Sequence, residues 1–329
     1  MMTKLVRSFS LVALILLLST GMVAAEKQDP LRQCTQSLSQ NNFTQAITFC
    51  TQAITENPNN LEALYWRAVS RVQLAQYAEA IADYSQILSL QPQNAEALSS
   101  RAEAYRLSGN LTDALSDAGR AIEIEPKYAE RYIGRGLILY DLKRYDDVIA
   151  DLTKAIALDS KLFSAYNNRG NAYNDKNQYD EAIADFTKTI VLEPKFVPAY
   201  NNRGIAYSSQ GRFKEAIADF TKTIELEPQF IPAYYNRGNA YSNQNQYTEA
   251  LADYTKALEL EPQFAPAYFN RGNVYSKQKL YKEAIADFTK FIELSPSSAQ
   301  GYKERGIAYQ EMGMPAEALR DFEKAKSLP

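Results

Sequence analysis

Between residues 163 and 196 the chain alternates two kinds of stretch. Ala165, Tyr166, Arg169, Gly170 and Tyr173 follow i, i+3, i+4 spacing, the mark of one face of a helix. Lys176-Asn177-Gln178 is a polar break. Ala182, Ile183, Phe186, Ile190 and Leu192 then form a second apolar stripe, entered through Asp180 and Glu181, whose charge favours a helix start. Pro194 closes the stretch because it cannot continue a helix. Pro198, Pro232 and Pro266 stand near the first turn of the helices that follow, where a missing N–H costs nothing. The pattern predicts helix, tight turn, helix, with each helix about 13 residues and about 20 Å long.

The same pattern recurs along the chain. Arg67, Arg101, Arg135, Arg169, Arg203, Arg237, Arg271 and Arg305 fall 34 residues apart without a slip. A small residue follows each of them: Ala68, Ala102, then Gly136, Gly170, Gly204, Gly238, Gly272 and Gly306. Gly inside a helix costs about 1 kcal/mol against Ala, so six of them argue that two helices need the space. Ala80, Ala114, Ala182, Ala216, Ala250, Ala284 and Ala318 recur on the second helix. One such hairpin cannot cover its own apolar face, whereas a neighbouring copy can, so the expected fold is a stack of hairpins with no single globular core.

A unit with a small residue at place 8, Tyr at 11, Ala at 20, an aromatic at 24 and Pro at 32 of 34 resembles the tetratricopeptide repeat. The resemblance covers about residues 27–329 and implies an all-α, right-handed superhelical solenoid. Eight units are expected over 61–329, a degenerate opening unit over 26–60, and no separate capping helix or catalytic domain after Pro329. Arg at place 7, where the family usually has Leu, is a departure, as are Ser160 for Pro and Val148 for Ala. The last helix carries Arg320, Glu323, Lys324 and Lys326, which predicts a polar outer face at that end.

Three sets of residues are candidates for special roles. Each repeated Arg has an Asp sixteen residues on, which suggests structural ion pairs, either within a unit or between neighbours: Arg169 with Asp185, Arg203 with Asp219, Arg237 with Asp253 and Arg271 with Asp287. Cys34 and Cys50 occupy places 8 and 24 of the opening unit, which the resemblance sets on facing helices. That implies a disulfide stapling the end unit, with two buried thiols as the alternative. Asn168, Asn202, Asn236 and Asn270 precede the Arg in four consecutive units, at a place the resemblance sets on the inner, concave wall. A primary amide both donates and accepts, matching a peptide backbone, so the row suits an extended chain. Asn171, Asn239 and Asn273 widen the strip, and Tyr235 and Phe269 add apolar contact. Repetition by recent duplication is the other explanation of the row. The Lys, Asn and Arg clamp for a C-terminal carboxylate known in the family is missing, since Lys303 alone is basic at a matching place.

Composition narrows the function. Residues 1–25 combine Lys4 and Arg7, an apolar run from Phe9 to Leu18, and Val23-Ala24-Ala25, the layout of a signal peptide. The mature chain is expected to begin near Glu26, outside the cytoplasm, in the periplasm or beyond the cell, with no further membrane span. Its formal charge moves from −3 to −5, which speaks against nucleic acid as a partner. The chain has no His, which removes the commonest general base and metal ligand. No catalytic residue, metal site or cofactor is expected. The leading expectation is a non-enzymatic scaffold that binds a peptide or protein segment in a concave groove and assists complex assembly. A self-associating structural protein of the cell envelope is the alternative class.

Overall fold

The computed structural model describes residues 29–328. The signal peptide expected over residues 1–25 lies outside the described residues. Among the described residues the regular elements are all α-helices, and they fall into two compact units divided after Pro92. The first unit holds two hairpins, α1 (Pro30–Ser39) with α2 (Phe43–Glu56), and α3 (Leu61–Gln73) with α4 (Tyr77–Leu90). The second unit holds seven. They are α5 (Ala95–Leu107) with α6 (Leu111–Ile124), α7 (Ala129–Asp141) with α8 (Tyr145–Leu158), and α9 (Phe163–Asp175) with α10 (Tyr179–Leu192). After them come α11 (Val197–Ser209) with α12 (Phe213–Leu226), and α13 (Ile231–Asn243) with α14 (Tyr247–Leu260). The last are α15 (Ala265–Lys277) with α16 (Tyr281–Leu294), and α17 (Ala299–Glu311) with α18 (Pro315–Lys326).

Each turn between paired helices depends on one left-handed residue at the same place of the repeat. In order these are Asn41, Ala75, Gly109, Lys143, Asn177, Gly211, Asn245, Lys279 and Gly313, with φ between 56° and 86°. The reversal lets the N–H of Gln178 donate to the carbonyl of Tyr173 at 2.9 Å and that of Asn177 to Asn174 at 2.9 Å, so the last carbonyls of α9 are satisfied. Ala75, Lys143 and Lys279 adopt this backbone at a cost of about 1–2 kcal/mol each.

The small residues of the first helices meet large ones on the second. A Cβ added at Gly170, Gly204, Gly238 or Gly272 would stand 2.7–2.8 Å from the ring of Phe186, Phe220, Tyr254 or Phe288, respectively. At Gly136, where the facing residue is Leu152, the distance is 3.3 Å. The aromatic ring thus lies in the space that the glycine leaves, and α9 and α10 close on each other because of it. The rings also reach forward. Phe186 packs with Ala182 of its own helix and Ala206 of α11, and Phe220 does the same with Ala216 and Ala240 of α13. Burial is therefore a series of local clusters, each shared by one hairpin and the next, and the fold is an all-α solenoid of helix-turn-helix units.

Within the second unit the second helix of every hairpin packs on the first helix of the next, and consecutive first helices also touch. Side chains from α7, α9, α11, α13 and α15 therefore share one wall. The last helix differs from expectation in one respect. Glu323, Lys324 and Lys326 are exposed as expected, but Leu319 is 58% exposed beside them. Its equivalents, Ile183 and Ile217 among them, are covered by a following hairpin.

Candidate peptide-binding wall

The asparagine row is set by the register of the first helices, and its amides are engaged with each other. Asn202 of α11 donates through Nδ2 to Oδ1 of Asn171 on α9 at 2.9 Å, and its own Oδ1 accepts from Asn201 at 3.2 Å. Asn270 of α15 donates to Oδ1 of Asn239 on α13 at 2.8 Å and to the Tyr235 hydroxyl at 3.0 Å. The Tyr254 hydroxyl donates to the same Asn239 oxygen at 2.7 Å. Asn168 accepts from Asn167 at 3.4 Å. Asn236 and Asn273 are half-buried on the same rows. Much of the row therefore joins one first helix to the next. Tyr235 and Phe269 lie among other rings: Tyr235 stands 5.2 Å from Phe264, and Phe269 stands 4.9 Å from Phe291.

A polar pocket of about 270 Å³ opens on this wall between α7, α9 and α11, lined by Tyr140, Asn171, Asn174, Asp175, Asn202 and Ile205. The Tyr140 hydroxyl donates to the Asp175 carboxylate. Burial, reinforced by that bond, pushes the Tyr140 phenol well above its ordinary value, so it stays a donor. Asn174 Oδ1 is buried without a partner, as are Asn167 Oδ1, Asn201 Oδ1 and Ser208 Oγ. A buried acceptor left unmet costs about 1–3 kcal/mol, and Asn174 alone of these lines the pocket. Sequence reading singled out Asn171 and Asn202 here and missed Tyr140, Asn174 and Asp175. The missed residues stand one helical turn beyond the row, where the copies differ, so no ladder marks them.

The arginines lie apart from that pocket, between paired helices. In every hairpin from α3–α4 onward the guanidinium forks onto the Asp of its own second helix. Arg203 donates through Nε and Nη2 to Asp219 at 2.8 Å each, and Arg237 to Asp253 at 2.8 and 2.7 Å. Arg169 holds Asp185 at 2.7 and 2.8 Å, and Arg271 holds Asp287 at 2.8 Å twice. The remaining nitrogen, Nη1, reaches back to a threonine of the preceding hairpin at 2.9 Å: Thr153 from Arg169, Thr187 from Arg203, Thr221 from Arg237 and Thr255 from Arg271. One side chain thus ties three helices. Its bond to Asp185 holds the Arg169 guanidinium above its ordinary value, while burial nudges the Asp185 carboxyl upward against the pull of Arg169. In the first unit Cys34 and Cys50 are joined as a disulfide with Cα atoms 5.2 Å apart, both sulfurs inside a cluster with Leu38, Phe49 and Trp66.

Among the described residues no group of His, Cys, Asp and Glu is placed to hold a metal ion, and no helix is long and apolar enough to cross a membrane. Tetratricopeptide repeat profiles match residues 197–230, 231–264 and 265–298, and further profiles of the same repeat match 136–175, 170–211 and 37–104. No curated protein matches the chain. Among solved structures, the C-terminal part of a TPR repeat-containing protein from Cytophaga hutchinsonii superposes with a TM-score of 0.60 at 18% identity, over 73% of this chain and 98% of that one. A tetratricopeptide repeat protein from Parabacteroides merdae gives 0.57 at 22% identity, over 71% and 93%. A chain of the APC/C hetero-tetramer Cut9-Hcn1 gives 0.53 at 16% identity, over 92% of this chain and 61% of that one. At these identities the likeness is one of fold.

Proposed function

The chain belongs to the tetratricopeptide repeat family, a non-catalytic fold that binds peptide or protein segments in a groove, and on that premise we propose that this chain acts as an exported scaffold holding an extended protein segment along its first helices. The observation that carries the reading is the pocket across α7, α9 and α11, where Asn174 Oδ1 is an acceptor with no donor beside the bonded pair Asn171–Asn202. A backbone N–H of a bound segment supplies the missing donor, and the row of amides from Asn168 to Asn270 offers further donors and acceptors to a chain in extended conformation. Each bond contributes about 1 kcal/mol net, so several must act together. Holding a segment open in this way suits assembly of a larger complex. The layout of residues 1–25 supports action outside the cytoplasm.

The test uses peptides selected from a displayed random library on the chain beginning at Glu26. They are expected to bind Asn174→Ala and the double variant Asn171→Ala/Asn202→Ala at least about tenfold more weakly, which is roughly 1.4 kcal/mol. Equal affinity for the parent and both variants sinks the reading.

A further inference from the structure

Six of the eight repeated arginines have a tyrosine four residues on along the same helix; α3 has Arg71 at that place and α7 has Leu139. In α11, Arg203 stands 5.9 Å from the centre of the Tyr207 ring. Arg212, in the turn that follows, stands 4.4 Å from the same ring. Tyr207 is thus flanked by two guanidiniums. The hairpin α7–α8, two repeats earlier, has both arginines at the matching places, Arg135 and Arg144, but Leu139 where Tyr207 would be. The preceding hairpin has Gly119, on α6, where the threonine that meets Arg203 would be. A pocket of about 390 Å³ opens there, lined by Leu115, Arg135, Leu139, Arg144, Asp147 and Asp151. The Arg135 side chain is 30% exposed, against 17% for Arg203.

We propose that this pocket binds a phenol ring, in the position that Tyr207 fills in its own hairpin. Arg135 is fixed by its fork onto Asp151 at 2.7 Å, and Arg144 by Asp147 at 2.7 Å. Two guanidiniums held in this way present flat, cationic surfaces to a ring, whose face attracts them. Leu115 and Leu139 give the ring an apolar floor. The carboxylate of Asp147 accepts from the phenol hydroxyl. The two arginines and two aspartates balance, so a neutral aromatic suits the site better than an anion. The pocket shares no residue with the polar pocket at Asn171 and Asn202, and it does not depend on the function proposed for that wall.

The experiment follows the methyl NMR signals of Leu115 and Leu139 during titration with p-cresol, with N-acetyl-tyrosinamide and with 4-methylcyclohexanol, which has the size but no ring current or quadrupole. Saturable shifts at those two residues in the millimolar range are expected with p-cresol, and no saturation with the cyclohexanol. Leu139→Tyr fills the space with the residue found at this place in other hairpins, so it is expected to keep or raise the melting temperature and to abolish p-cresol binding. Arg144→Ala, at an exposed place, is expected to weaken p-cresol by roughly two- to fivefold. Binding of N-acetyl-tyrosinamide as well as p-cresol identifies a tyrosine side chain as the ligand, whereas p-cresol alone identifies a free phenol. Absence of saturable shifts with p-cresol, equal binding of 4-methylcyclohexanol, or unchanged binding in Leu139→Tyr overturns the proposal.

Discussion

At the scale of single residues, places 8 and 24 of the repeat act as one slot with a shared volume. The slot holds Gly204 with Phe220, Gly136 with Leu152, Ala102 with Ala118, and Cys34 with Cys50. Phe186, Phe220, Tyr254, Phe288 and Phe322 each face a glycine, and Ala118 faces Ala102, while in α3–α4 the buried Tyr84 shares its slot with Ala68. Gly204→Ala tests this, because a Cβ there stands 2.7 Å from Phe220 Cε1. Helix propensity alone favours Ala by about 1 kcal/mol, but overpacking costs about 1–3 kcal/mol. A net loss of stability is expected in chemical denaturation, and adding Phe220→Leu, which puts at place 24 the smaller residue that faces Gly136, is expected to recover part of it. A gain in stability from Gly204→Ala alone would contradict the shared slot. The glycine row was legible in the sequence as a repeated helix penalty. Which ring fills each gap was not, because that ring lies on the other helix of the pair.

At the scale of the helix pair, the arginine decides how the pieces lock. Spacing alone left two partners open, one in the same hairpin and one in the neighbour. The guanidinium has enough nitrogens for both: Nε and Nη2 hold the Asp, and Nη1 holds the preceding threonine. The threonine link was not legible, because a threonine on an exposed helix face reads as an ordinary surface residue. Arg237→Ala strands the buried Asp253 and is expected to cost about 3 kcal/mol, the low end for breaking such a pair. Faster amide exchange should appear in α13 and α14 and at Thr221. Arg237→Lys is expected to restore little, because an ammonium cannot fork. Unchanged exchange in Arg237→Ala would show that the pair contributes nothing.

At the scale of the whole chain, stability is a sum of neighbours and not one cooperative core. The disulfide illustrates this. It closes a loop of sixteen residues in the first hairpin, which contributes roughly 3 kcal/mol in the entropic account. Reduction is expected to speed amide exchange across α1 and α2 while leaving α9 to α16 as they were. A uniform loss of protection along the chain would instead mean one cooperative body. The 34-residue register made the solenoid legible from the sequence alone. The division after Pro92 was not, since the period runs through it unbroken. The hydrogen bonds between asparagines of successive first helices were not legible either, because identical asparagines look the same whether they face a ligand or each other.

The threonine link has a consequence for length. Every joint in the later hairpins has the same three parts in the same order. Splicing out residues 231–264 would bring Thr221 sixteen positions ahead of Arg271, which already holds Asp287. The joint closes again with no new chemistry, and a duplicated copy would be accepted on the same terms. A protein jointed like this can be lengthened or shortened in whole links, as a watch strap is, to suit the span of whatever it has to hold.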